Sequence, residues 1–271
     1  MTFGHKIVDF YLRSSLHVAF SLFSLAQLTF LEFGLEVQIP LSICVFTGTV
    51  VAYNSLKYAK LVIGKQVHSF FLKWILVTTG IAGFVFGFYA LQLTPKEKML
   101  FLFGAIMVAI YPYIRKFGTI KMFWVCFVIT YVTSFVILDG AENFKGNFFY
   151  PLTKRFLFLC ALMIPFEIRD SPFDVLQFQT LPQRLGIYKV KIIGFSCLFL
   201  FMGLSVGYDL LYRPFNASHL PLVLNGFLAV VLFVSIYKVR PQSSPYFTGF
   251  WVESFPIIGF LMYKLAISYC C

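Results

Sequence analysis

The chain has 271 residues, of which 59% are hydrophobic and 12% charged, with a formal net charge of +11. Its apolar positions run together over the roughly 20 residues that a helix needs to cross a bilayer. This reads as an integral, multi-pass membrane protein with no soluble domain, Gly-rich phosphate loop, low-complexity linker or nucleic-acid-binding module, and so no nucleic-acid partner.

In chain order the sequence predicts spans near 14–33, 37–56, 69–92, 98–114, 119–139, 150–168, 190–211, 219–238 and 246–268, nine in all. The fourth is short and merges with its neighbours' loops, so eight is the competing count. The runs are continuous, whereas barrel strands would alternate lipid-facing and lumen-facing residues. The fold expected is therefore an all-α bundle of about nine transmembrane helices around a central cavity, one domain over residues 1–271. The first apolar segment outlasts a signal-peptide core and lacks a small-residue cleavage pattern, so it is read as the first helix.

With the N-terminus inside, the cytoplasmic loops and helix ends hold Lys6, Arg13, Lys57, Lys60, Lys65, Lys73, Arg115, Lys116, Lys121, Arg169, Arg184, Lys189, Lys191, Lys238 and Arg240. The other side holds Lys96, Lys98, Lys145, Lys154, Arg155, Arg213 and Lys264. The bias supports an internal N-terminus and an external C-terminus, and many of these cations serve as topology signals and anionic-lipid contacts. Cys44, Cys126, Cys160 and Cys197 fall in separate spans without zinc-site spacing and read as packing residues. Cys270 and Cys271 are not a prenylation ending. Asn216-Ala217-Ser218 is a formal glycosylation sequon in an external loop. The 36 phenylalanines are read as lipid-facing and core packing.

Three polar clusters follow spans 2, 4 and 6, at the cytoplasmic ends. In the first, Asn54, Lys57 and Tyr58 share a helical face, with Lys60 beyond. The second is Tyr111-Pro112-Tyr113-Ile114-Arg115-Lys116. The third, Glu167-Ile168-Arg169-Asp170-Ser171-Pro172-Phe173-Asp174, continues into Thr180-Leu181-Pro182-Gln183-Arg184-Leu185-Gly186. Glu167, Asp170 and Asp174 stand three and four residues apart, so a helical backbone puts them on one face, where they suit a magnesium ion shared with a diphosphate ester. Pro172 disfavours helical dihedrals at Ser171, which leaves a kink or a helix-to-loop junction as the other geometry. Tyr58 is read as a packing or hydrogen-bonding residue. His17 and His68 have no metal-ligand constellation, and Glu253 on the last span is a weaker candidate for the bundle interior.

On these residues the chain resembles the UbiA-type intramembrane prenyltransferases. Arg169-Asp170…Asp174…Thr180-Leu181-Pro182…Arg184-Leu185-Gly186 is similar to that family's second acidic motif. Tyr111-Pro112…Arg115-Lys116 is similar to its Tyr-Pro-x-x-Lys-Arg segment with the two bases exchanged. The first motif departs from the family: Asn54 remains, but Tyr58 and Val62 stand where acids are expected. The resemblance implies magnesium held by Asp170, Asp174 and Glu167 on one side. It also implies an isoprenoid diphosphate or other lipid contacted by Asn54, Lys57, Lys60, Tyr111, Arg115, Lys116, Arg169 and Arg184. Two readings stay open: an enzyme that replaces the lost acids with cations such as Lys57, Lys60, Arg115 or Lys116, and a noncatalytic binding homologue whose carboxylates pair with those cations. A membrane subunit that uses this fold to bind a protein partner is the alternative of a different class.

Overall fold

The computed structural model describes residues 3–64, 69–141, 147–173, 178–212 and 219–270. Lys65, His68, Lys145, Asp174, Arg213, the Asn216–Ser218 sequon and Cys271 lie outside them. The described residues form helices α1 (Phe3–Arg13), α2 (Leu16–Glu32), α3 (Ile39–Ile63), α4 (Phe70–Ala90), α5 (Pro95–Ile114) and α6 (Gly118–Gly140). These are followed by α7 (Phe149–Asp170), a short α8 (Leu181–Leu185), α9 (Ile187–Tyr212), α10 (Leu220–Lys238) and α11 (Phe247–Ser268). Among the described residues eight helices are long and apolar enough to span, and α1 with α2, bent by 59°, makes a ninth when the pair is counted as one span.

The span expected near 14–33 is α2, which begins two residues later at Leu16 with the bend just before it. Ser14 and Ser15 interrupt the helix, and Ser15 adopts the left-handed conformation at φ 61°, an uncommon state for a residue with a side chain. Two further boundaries move. Helix α3 runs to Ile63 instead of stopping near 56, so its polar cluster lies on the helix. Helix α7 stops at Asp170 and gives way to a turn, so the carboxylate segment is a helix-to-loop junction, as Pro172 requires.

Helix α2 packs on α6, α6 on α7, α7 on α10, α10 on α11, and α11 back on α2, which closes a ring. Helix α3 lies against α2 and carries α4 on its outer side, while α9 packs between α7 and α10. On α4, Phe70, Trp74, Val77, Ile81, Phe84 and Phe88 are all exposed, at alternate steps of four and three residues. Such a stripe, unfavourable in water, is the expected lipid-facing side of a membrane helix.

Alternation of the spans brings the α1–α2 bend, the C-termini of α3, α5, α7 and α10, and the N-termini of α4, α6, α9 and α11 to one end, hereafter the basic face. Contacts across it include the Tyr58 hydroxyl donating to Arg13 O at 2.9 Å, Lys191 Nζ donating to Tyr237 O at 2.7 Å and Gln242 N donating to Arg169 O at 3.3 Å. Asp9 of α1 accepts from Tyr246 Oη at 2.8 Å, and this bond, with some burial and the Asp9 charge, holds the Tyr246 phenol above its usual range.

A π turn over Phe247–Val252 opens α11, with Glu253 N donating to Thr248 O at 3.2 Å. Pro256 has no N–H and its ring crowds the carbonyl of Val252, so regular α pairing fails at this place. The irregularity sets the direction of Glu253.

The chain from α7 to α9 crosses the start of α6 at very close range. A Cβ on Gly118 would stand 2.4 Å from Phe178 O and 2.5 Å from Gln179 O, both main-chain atoms. Gly118→Ala is therefore expected to destabilise the protein by about 1–3 kcal/mol, the usual cost of overpacking. Gly80→Ala, where a Cβ meets nothing, should leave the melting midpoint in detergent unchanged or slightly raised. Equal midpoints for the two variants would refute the close approach.

Candidate functional site

The first polar cluster holds the fold together at the bend. Asn54, buried on α3, donates to Ser14 O at 3.0 Å and to Thr79 Oγ1 at 2.8 Å, and its Oδ1 accepts from the Ser15 hydroxyl at 2.8 Å. Lys57 Nζ donates to the same Ser15 hydroxyl at 2.9 Å. The left-handed Ser15 is thus held by two residues of α3, and Tyr58 secures Arg13 just before it. Asn54 joins α2, α3 and α4 with three of the four hydrogen bonds that an amide can make, so a structural task accounts for its presence.

Lys57 also turns toward the bundle. It lies over the Tyr53 ring at 6.0 Å and within electrostatic range of Glu253. Glu253 in turn lies within range of Arg169, and Tyr53 within range of both Glu253 and the half-buried Tyr111. Lys57 from α3, Arg169 from α7 and Glu253, just after the π turn of α11, therefore interact electrostatically, with two tyrosines within the same range, and are hereafter the inner charged centre. Arg169 grips Asp170 in a two-point pair, Nε to Oδ1 at 2.6 Å and Nη2 to Oδ2 at 2.8 Å. Its Nη1 donates to Thr248 Oγ1 and, at 3.5 Å, to Pro245 O. One guanidinium thus links the end of α7 to the start of α11.

Glu167, 5% exposed, forms an ion pair with Lys121 of α6 at 3.4 Å. The described carboxylates of the third cluster are both engaged by cations, Glu167 by Lys121 and Asp170 by Arg169, and Asp174 lies outside the described residues. No group of three His, Cys, Asp or Glu side chains comes together in metal-binding geometry among the described residues. Opposite them, Asn54 is committed to the bend, and neither Tyr58 nor Val62 offers a carboxylate. The described residues do not fit a two-sided magnesium arrangement.

Lys60, Arg115, Lys116 and Arg184 are exposed around the same face, Lys116 lying over the Tyr113 ring at 6.0 Å. They form a basic rim that includes Lys57, which is itself exposed, and the rim runs inward from there to the half-buried Arg169 and Glu253. The charged groups at this end also involve residues that carried little or no weight in the sequence: Glu253, Tyr53 and Thr248 around Arg169 and Lys57, and Lys121 beside Glu167. A signal existed for two of them, since an ionisable residue well inside an apolar span is costly unless it faces a partner. Thr248 and Tyr53 gave none, because hydroxyls are common on membrane helices.

Asn54→Ala is expected to cost about 2–3 kcal/mol, the sum of several modest bonds and the exposure of their buried partners, and to speed hydrogen exchange around residues 10–20. Unchanged exchange there would show that the bend does not depend on Asn54. Lys121→Met should cost about 3–5 kcal/mol by removing the cation beside buried Glu167, and Lys121→Met with Glu167→Met should recover most of it. If the double variant is as unstable as the single one, the two residues are not coupled, which a thermodynamic cycle would reveal directly.

No protein-family model matches the sequence, and no curated protein matches it. Among solved structures, the apo structure of a UbiA homolog from Aeropyrum pernix K1 is similar, with a TM-score of 0.65 and 13% sequence identity over 93% of this chain and 97% of that one. At this identity the likeness concerns architecture, and it extends over nearly the whole of both chains. The protein is a polytopic all-α membrane protein with the UbiA-type fold.

Proposed function

We propose that the protein binds an isoprenoid lipid with an anionic, diphosphate-type head group at the basic face, and that it is a binding homologue without ordinary magnesium-bridged prenyl transfer. The observation that carries this reading is the inner charged centre, in which Lys57 and Arg169 from different helices both act electrostatically on Glu253 at the basic end of a UbiA-type bundle. Two cations on separate helices can hold a head group from two sides, as metals do in the enzymes that the sequence resembles. The outer rim of Lys60, Arg115, Lys116 and Arg184 favours approach of an anion, and the phenylalanine-rich helices suit an isoprenoid tail. The positive-inside bias supports a cytoplasmic orientation for this face.

The reading concerns binding because the carboxylates needed for metal bridging are missing opposite Asp170 or already engaged by bases. For Asp170 to serve as a magnesium ligand, Arg169 would have to release it and so loosen the link to α11.

Purified protein in nanodiscs should bind a prenyl diphosphate saturably, with affinity unchanged by EDTA and no turnover with lipophilic acceptors. Lys57→Ala and Arg169→Ala should each weaken binding by about tenfold, the scale of one charged hydrogen bond. Absence of binding together with stable co-purification of another membrane protein would favour the subunit reading. Loss of binding in EDTA and in Asp170→Asn would mean that magnesium holds the head group, and reproducible turnover would overturn the noncatalytic assignment.

A further inference from the structure

A second polar site lies toward the opposite face, lined by α2, α7, α9, α10 and α11. It is a small cavity of about 30 Å³, with Glu32, Lys154, Arg155, Asn225, Phe158 and Leu228 among its lining residues. The basic pair Lys154-Arg155 is buried within the spanning helix α7, at 4% and 8% exposure. The two bases are neutralised differently. Lys154 forms an ion pair with Glu32 of α2.

Arg155 contacts neutral acceptors only. Its Nε donates to Ser134 Oγ at 3.2 Å, and its Nη2 donates to Leu25 O at 3.1 Å and Thr29 Oγ1 at 3.0 Å. Among the described residues, no Asp or Glu forms an ion pair with Arg155, and its Nη1 makes no hydrogen bond. A guanidinium stays protonated at any physiological pH, so this buried position near the start of a spanning helix carries a full charge, and an unpaired buried charge is strongly unfavourable.

We infer that the cavity beside Arg155 binds a small monovalent anion, of halide or formate size, which neutralises the guanidinium in place. Size selects the ligand class. A cavity of this volume has room for roughly two water-sized groups, which excludes a diphosphate and the bulk of a lipid head. Geometry supports it from two sides: Arg155 lies in one wall, and the Asn225 amide, which donates one N–H to Ser205 Oγ at 3.4 Å and has a second to offer, lies in the wall formed by α10. The three neutral bonds fix the guanidinium plane, so the arginine is held ready instead of reorganising around its ligand. This site is independent of the lipid reading, since none of its residues belongs to the basic face.

The test uses the purified full chain at constant ionic strength, replacing gluconate, which is too large for the cavity, with chloride, bromide or formate. The expected result is a saturable rise in melting midpoint with the small anions, and a bromide anomalous peak in the cavity in crystals. Asn225→Leu removes the second donor without touching the bonds that hold Arg155, and should weaken the apparent halide affinity by about fivefold. Arg155→Met should abolish the anion response. If that variant fails to fold, Asn225→Leu and the bromide peak still decide the matter. A halide response with no formate response would narrow the ligand to halides. Midpoints indifferent to anion identity, bromide found only on the outer surface, or an Asn225→Leu response equal to wild type would each overturn the assignment.

Discussion

Charge inside a bilayer has to be neutralised where it stands, because neither water nor a flexible loop is at hand to do it. Much of this bundle follows from that constraint. Glu167 lies in α7 and Lys121 in α6, so their pairing fixes how those helices face each other at the basic end. Lys154 and Glu32 do the same for α7 and α2 at the other end. Helix α7 carries charge at both ends, and it is the element around which α6, α9 and α10 are arranged.

The polar groups also explain where the helices are irregular. The bend between α1 and α2 puts Ser14 and Ser15 where Asn54 and Lys57 can hold them. The π turn of α11 puts Thr248 under Arg169 and Glu253 near Lys57. π turns recur at functional sites because an added residue per turn redirects side chains without ending the helix. Here the redirected residue is an acid within electrostatic range of two bases, Lys57 and Arg169.

The two ends of the molecule solve the same electrostatic problem differently. At the basic face each described interior carboxylate has a cation near it, and the surplus of positive charge sits on the exposed rim, where water and lipid head groups screen it. At the opposite face the cavity keeps Arg155 among neutral acceptors. A ligand at the basic face would compete with charges already paired, whereas one at the opposite face would complete a set.

Long apolar runs determined by themselves that the chain is helical and crosses a membrane about nine times, since 20 consecutive apolar residues leave no other low-energy arrangement in lipid. The residues around Asp170 and Tyr111 were enough to point to the UbiA-type fold that the structural comparison bears out. The partners of the charged residues were not legible. Asn54 looked like a ligand group because its surroundings in sequence match a motif, while its bonds are to Ser14, Ser15 and Thr79, two of which lie about forty positions away. Glu253 looked marginal because its bases, Lys57 and Arg169, lie on other helices. Hydropathy is a property of each segment, so the sequence carries it. The pairing of charges depends on which helices become neighbours and how each is rotated, and only the packed bundle decides that.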